Sequence, residues 1–184
     1  MTEGARPMSP SGVKAGLFLA FVLTVVGANW ALQTYGFVPV GFGLMAPAGV
    51  YFAGLAFTLR DLLHEAGGRR WVLAAIVAGA LLSFGIEDAQ RIAIASGIAF
   101  GLSELADLLV YSPLRHRNWL GAVLASNAVG LVIDSALFLC IAFGSLAYIE
   151  GQIVGKATMT ILAIALLGGA RAVLPRFASS RLVG

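Results

Sequence analysis

The chain consists of long apolar runs separated by short polar segments and by glycine- and proline-containing breaks. Residues 15–59 include no Asp, Glu, Lys or Arg. At a helical rise of about 1.5 Å per residue, this stretch is long enough for two membrane crossings of about 20 residues each. Further apolar runs continue towards the C-terminus, unlike a secretory signal followed by a polar mature chain. The pattern therefore predicts a polytopic membrane protein.

The apolar runs predict an all-α membrane protein with six transmembrane helices in one bundle. We expect a disordered cytoplasmic tail at residues 1–11, a transmembrane domain at 12–174 and a second cytoplasmic tail at 175–184. Residues 35–39 are expected to turn the chain after the first helix, and Pro175 prevents continuation of the last one. The six predicted helices cover residues 12–32, 44–64, 71–85, 90–111, 119–143 and 152–174.

The composition narrows the class of protein further. Hydrophobic residues make up 59% and charged residues 11%, whereas soluble domains carry about a quarter charged residues. The net charge of +3 does not indicate a nucleic-acid partner, because the basic residues sit at predicted helix ends. Cys140 is the single cysteine, which excludes a disulfide framework and a thiolate metal site. We expect the lipid bilayer as surroundings and no metal or cofactor.

The distribution of basic residues predicts the orientation of the bundle, because cytoplasmic loops carry an excess of Lys and Arg. Of the 12 basic residues, ten fall on one side of the predicted helices and two on the other. This indicates a multi-pass protein of the plasma (cytoplasmic) membrane with both termini in the cytoplasm. The first side holds Arg6, Lys14, Arg60, Arg69, Arg70, Arg115, Arg117, Arg171, Arg176 and Arg181, and the second holds Arg91 and Lys156.

Several ionisable residues lie inside the predicted membrane segments. Charged side chains at bilayer depth cost about 2.5–3.5 kcal/mol even on lenient insertion scales, so they normally face a cavity or a partner. Glu104 and Asp107 belong to the fourth predicted helix, and Lys156 to the sixth. Asn127 and Asp134 lie on either side of the centre of the fifth. We expect acidic and amide groups to converge near mid-membrane.

The spacing of these polar residues places them on defined helix faces, since residues three, four and seven apart share a face. On the fifth helix, Asn127, Gly130 and Asp134 form one stripe. Small residues on both helices favour close approach of the two backbones, so the stripes are expected to face each other or a shared cavity. The stripe on the fourth helix consists of Ser96, Phe100, Ser103 and Asp107, with Glu104 beside it.

Alternative interpretations of the buried charges remain open. Lys156 is a possible charge partner of Asp134 or Glu104, in which case the polar stripe only holds the bundle together; it can also snorkel to the outer interface. An intramembrane enzyme is not expected. His64 and His116 both sit at predicted cytoplasmic loop edges, and the sequence has no HExxH pattern.

Three segments together resemble the queuosine precursor transporters, also called the vitamin uptake transporter (VUT) family. The resemblance covers residues 29–170, and its most specific parts are Ser-x-x-x-Asp in the fourth helix and Asp-Ser-x-x-Phe followed by Ala-Phe-Gly in the fifth. Two departures stand out: Glu104 replaces a frequent Gln, and Thr58 and Asp61 are not adjacent. The three segments read FTLRDLLHEAGGRR, RIAIASGIAFGLSELADLLVYSPLR and SNAVGLVIDSALFLCIAFG.

The resemblance implies a six-helix importer of a 7-deazaguanine base: 7-cyano-7-deazaguanine, its aminomethyl relative or queuine. A carboxylate of Glu104, Asp107 or Asp134 can accept the adjacent N1–H and amino donors of such a base. An amide of Asn127 or Gln152 can meet its O6, and Trp30, Phe100 or Trp119 can stack on the ring, with Trp30 favoured. The expected substrate-binding residues are Asn29, Trp30, Phe100, Ser103, Glu104, Asp107, Asn127 and Asp134.

Two further functions stay in view beside transport of a purine-like base. The chain can be the vitamin-binding subunit of an ATP-driven uptake system, which requires a separate energising module, or a non-transport membrane scaffold. Homo-oligomerisation, proton coupling and the identity of the deazaguanine are left open by the sequence.

Overall fold

The computed structural model describes residues 10–86, 89–114 and 116–173, and its elements are six helices with one β-hairpin after the first helix. The predicted tails at 175–184 and at 1–11, apart from residues 10 and 11, lie outside this part, as do Glu87, Asp88 and Arg115. Residues 10 and 11 are already helical. In chain order the elements are α1 (Pro10–Tyr35), β1 (Phe37–Gly41), β2 (Leu44–Pro47), α2 (Val50–Gly67), α3 (Arg69–Ser83), α4 (Gln90–Leu114), α5 (Trp119–Phe143) and α6 (Ile149–Val173).

The β-hairpin is the main departure from the predicted fold. β1 pairs antiparallel with β2, with Val38 opposite Ala46. Gly41, Phe42 and Gly43 all have positive φ at the turn, a backbone conformation that two glycines adopt without a Cβ penalty. The prediction that the second helix begins at residue 44 is wrong, because residues 44–47 belong to β2 and α2 begins at Val50. All other predicted helix ends lie within three residues of the observed ones.

Local chemistry explains where α5 begins and ends. The Asn118 side chain accepts a hydrogen bond from the Gly121 amide at 3.0 Å, which caps the helix start. Gly144 has φ 70°, and its amide donates to the Cys140 carbonyl at 2.9 Å, which is the left-handed ending that glycine favours. The predicted bounds of this helix, 119–143, are confirmed.

Helix packing divides the molecule into two parts. α4 and α5 pack against each other along their length, while α1 packs on α2 and α3, and α2 packs on α6. The crossing of α2 and α6 is close because Gly54 lies against the backbone of Lys156, where a Cβ would be 2.7 Å from the Lys156 oxygen. On α4 and α5, a Cβ on Gly130 would lie 3.6 Å from the Ser103 oxygen. This confirms the predicted close approach of these two helices.

The chain is an α-helical membrane protein. Among the described residues, four helical segments are long and apolar enough to cross a membrane. Large apolar side chains are exposed on their outer faces, including Leu109 at 70%, Ile161 at 68% and Leu124 at 64%, as expected where lipid replaces water. The four segments are Ser11–Tyr35, Gln90–Leu114, Leu124–Phe143 and Ile149–Leu166.

Candidate functional site

A cavity lies between the α4–α5 pair and the other helices, in the half of the bundle that carries the β-hairpin. It contains about 680 Å³ of empty space, counting its open mouth. All six helices and the end of β2 contribute to its walls. Among the lining residues are Phe21 and Asn29 of α1, Pro47 of β2, Val50 of α2, Ala80 of α3, Ser96 and Phe100 of α4, Asp134 and Phe138 of α5, and Gln152 and Lys156 of α6.

An ion pair lies in the cavity wall between α5 and α6. Lys156 Nζ donates to Asp134 Oδ2 at 2.6 Å and to Ser135 Oγ at 3.1 Å. Lys156 is 2% exposed and Asp134 5%, so neither side chain reaches the outer surface. Lys156, named above as a possible charge partner, is therefore paired with Asp134 and does not snorkel. Since the two charges cancel, they leave the wall without net charge at this point.

Two amide side chains add polar atoms to the mostly apolar wall. Asn29 and Gln152 are 1% and 2% exposed. Asn29 Oδ1 and Gln152 Oε1 are both buried and have no hydrogen-bond donor within the part of the chain that the structure describes. Buried polar atoms are nearly always hydrogen-bonded, so two residues of the cavity wall each carry an acceptor that lacks a donor.

A second polar group lies further from the hairpin and is centred on Arg60 of α2. Its guanidinium donates to Glu104 Oε1 of α4 and, at 3.0 Å, to Asn127 Oδ1 of α5. It also pairs with the neighbouring Asp61 at 2.7 Å. Arg60 is 5% exposed, so counting it among the cations of a cytoplasmic loop is wrong. It ties α2 to both helices of the α4–α5 pair.

Three phenylalanine rings separate the cavity from the Arg60 group. Phe21 and Phe100 both line the cavity, and their ring centroids are 5.6 Å apart. Phe57 packs on Phe100 with a centroid distance of 5.5 Å, and the Arg60 guanidinium lies 5.2 Å from the Phe57 ring. The rings therefore form an aromatic layer between the two polar groups.

The structure divides the predicted site residues among different places. Asn29, Phe100 and Asp134 line the cavity. Glu104 and Asn127 instead bind Arg60. Because Asn127 and Asp134 are two helical turns apart, about 10 Å along the axis, one stripe on α5 serves two polar groups.

The other predicted residues do not line the cavity. Ser103 is fully buried where α4 meets α5, and its hydroxyl donates to the Phe100 carbonyl at 2.9 Å. Asp107 lies beside Gly130 in the same contact, and its buried Oδ1 has no hydrogen-bond partner among the described residues. Trp30 is 48% exposed, with its ring against Tyr35.

Sequence reasoning missed the role of Arg60. A signal was present in the sequence: Arg60 lies inside the predicted helix 44–64, with Leu59 before it and Leu62 and Leu63 after Asp61. Ser83, which bonds Asn29 at 2.7 Å, gave no such signal, because it meets α1 only through tertiary packing.

The model of a family described as "Putative vitamin uptake transporter" matches residues 82–169. This segment runs from the end of α3 through most of α6 and contains Phe100, Asp134, Gln152 and Lys156 of the cavity wall. This match supports assignment of the chain to the vitamin uptake transporter family. No curated protein and no solved structure matches it. Similarity to a family of transporters favours transport over catalysis.

Proposed function

We propose that this vitamin uptake transporter imports a queuosine precursor, a 7-deazaguanine base, and binds it in the cavity between the α4–α5 pair and the remaining helices. The single observation that carries the proposal is a cavity among the helices whose mostly apolar wall holds a few polar groups from different helices. A flat base needs such a wall, with apolar surface for its ring and isolated polar atoms for its edges. Phe100 offers an aromatic face and Asp134 a carboxylate.

The proposed topology has six membrane-crossing helices with both termini in the cytoplasm, in the cytoplasmic membrane. α2 and α3 are the shorter helices, with 18 and 15 residues, or about 27 and 22 Å. They line the same cavity as the longer helices, so they share the membrane depth of that cavity. In this orientation the hairpin faces outwards, and the start of α3, with Arg69 and Arg70 directly after the short α2–α3 connection, faces the cytoplasm, as the positive-inside rule requires.

The proposed transport cycle uses the two polar groups on either side of the aromatic layer. In this conformation the Arg60 bonds to Glu104 and Asn127, together with the phenylalanine layer, close the path from the cavity towards the cytoplasmic side. Rocking of the α4–α5 pair against the other helices would separate these contacts and open the cavity inwards, as in alternating access. Arg60 is then the residue that holds the inner side closed.

Uptake of labelled 7-cyano-7-deazaguanine by cells that lack their own importer tests the proposed function. We expect uptake with the wild-type chain and a reduction of about tenfold or more with Asp134→Asn, because the substitution leaves Lys156 without its carboxylate and changes the cavity wall. Glu65→Gln is the matched acid-to-amide control, since Glu65 is exposed on α2 and does not line the cavity.

The amount of each variant in the membrane is measured by immunoblot, so that loss of protein is separated from loss of transport. Absence of uptake by the wild type would overturn the proposed cargo. If the Asp134→Asn variant takes up the base at the wild-type rate, the cavity wall at this point is not part of the binding site.

A further inference from the structure

The orientation of the Asn29 amide is determined by its neighbours. Asn29 Nδ2 donates to the Val25 carbonyl at 3.1 Å and to Ser83 Oγ at 2.7 Å. Ser83 Oγ in turn donates its only hydrogen to the Gly79 carbonyl at 2.8 Å. A carbonyl can only accept, and the serine hydrogen is already used, so the amide cannot turn over without losing both bonds. The end that remains for the cavity is therefore the acceptor Oδ1.

This oxygen needs a hydrogen-bond donor from outside the described part of the protein. Asn29 is 1% exposed and lines the cavity, and its Oδ1 has no partner there. A buried acceptor without a donor loses the hydrogen bond it makes in water. A bound molecule with an N–H group at this point would restore that bond.

Gln152 on α6 provides a second acceptor of the same kind. It is 2% exposed, lines the cavity, and its Oε1 has no donor among the described residues. The charged residues among those that line the cavity are Asp134 and Lys156, which pair with each other at 2.6 Å. A bound molecule therefore meets two acceptors and no net charge, and a charged group on it would lose its hydration without gaining a free counter-charge.

We propose that the cavity selects an uncharged heterocycle whose N–H groups donate to Asn29 Oδ1 and Gln152 Oε1, with Ser83 as the positioning residue that keeps the Asn29 oxygen available. This inference rests on the proposed function, because it takes the cavity as the solute site. It adds the chemical basis of selection: donors are required at two points, and a cationic substituent is disfavoured.

Equilibrium binding to the purified full chain in detergent, with three probes, tests the inference. The probes are 7-cyano-7-deazaguanine, the corresponding deazahypoxanthine that lacks the exocyclic amine, and 7-aminomethyl-7-deazaguanine, which carries a cationic amine. We expect the first probe to bind about 10- to 100-fold more tightly than either of the others, because one loses a donor and the other brings an unpaired charge.

Substitutions then identify the residues that discriminate between the probes. Removing the acceptor that meets the exocyclic amine, by Asn29→Leu or by Gln152→Leu, should bring the cyano probes with and without that amine to within about threefold of each other, since the discrimination depends on that one bond. If Asn29 is that acceptor, Ser83→Ala should also reduce the ratio, because the amide then keeps only its bond to the Val25 carbonyl and is held less firmly in this orientation. Gln33→Leu is the control: it replaces an exposed amide on the same helix, outside the cavity, and should leave the ratio unchanged.

The remaining outcomes each contradict one part of the proposal. Equal binding of the two cyano probes by the wild type would overturn the donor requirement, and preference for the aminomethyl probe would overturn the preference for an uncharged ligand. If the wild type binds none of the three probes, the proposed cargo is wrong. The inference is then tested by itself with adenine and purine, which differ only in an amine. A preference for adenine that Asn29→Leu or Gln152→Leu removes would support it; no preference or no binding would overturn it.

Discussion

The Asp134–Lys156 ion pair allows a quantitative test of what holds α5 against α6. The two groups are 2.6 Å apart, and Lys156 and Asp134 are 2% and 5% exposed. Removal of one partner leaves the other charge buried without compensation, which costs about 3–5 kcal/mol in proteins. We therefore expect Lys156→Met to destabilise the protein by about this amount.

Replacement of both partners should behave differently. An apolar pair of similar volume is neutral or stabilising relative to a buried ion pair, so the double variant Asp134→Leu/Lys156→Met should recover most of the lost stability. Thermal unfolding in detergent measures this. At about 2–4 °C per kcal/mol for a chain of this length, we expect the Lys156→Met variant to unfold about 6–20 °C below the wild type.

A matched lysine provides the control. Lys14 Nζ lies 4.6 Å from the centroid of the Trp71 ring, and Lys14 is not buried; such a contact is worth about 0.5–1 kcal/mol. Lys14→Met should therefore lower the unfolding temperature by about 1–4 °C. If Lys156→Met falls within this range, or the double variant is less stable than the single one, the argument from the buried pair is refuted. A double variant that is stable and transports normally would support the scaffold role of the pair.

Two further predictions concern other contacts. A Cβ on Gly151 would lie 2.0 Å from the Met45 carbonyl oxygen, so Gly151→Ala should displace the hairpin from α6 and lower the unfolding temperature. An unchanged unfolding temperature would show that the hairpin can move away from α6 without loss of stability. Glu104→Gln keeps an acceptor for Arg60, whereas Glu104→Ala removes it. The free energy of unfolding should therefore fall by about 1–3 kcal/mol less with Gln than with Ala, which appears as a smaller drop in unfolding temperature, and equal losses would contradict a bonding role for Glu104.

The apolar pattern of the chain predicted most of the helical structure, because helices in a membrane must satisfy their backbone groups internally. The second helix start was missed because an apolar run such as residues 44–47 suits a strand as well as a helix. The pairing of those residues with β1 is a contact between strands, which periodicity within one segment does not reveal.

The polar residues show the same difference between what local sequence patterns predict and what depends on tertiary contacts. Spacing correctly indicated that α4 and α5 approach each other through Gly130, and a carboxylate in the membrane indicated a partner for Asp134. Spacing could not separate Glu104 and Asn127, which bind Arg60, from Asp134, which binds Lys156. That separation depends on the crossing points of α2 and α6 with the α4–α5 pair.

By itself the sequence determined that the chain is a helical membrane protein with buried charges, because hydropathy and the cost of charge in lipid are properties of each segment. Only the tertiary structure decided which charges meet, that Arg60 is buried, and that the Asn29 and Gln152 oxygens share one cavity. Those outcomes depend on distances between helices far apart in the chain, and such distances are set by the packing of whole faces rather than by local spacing.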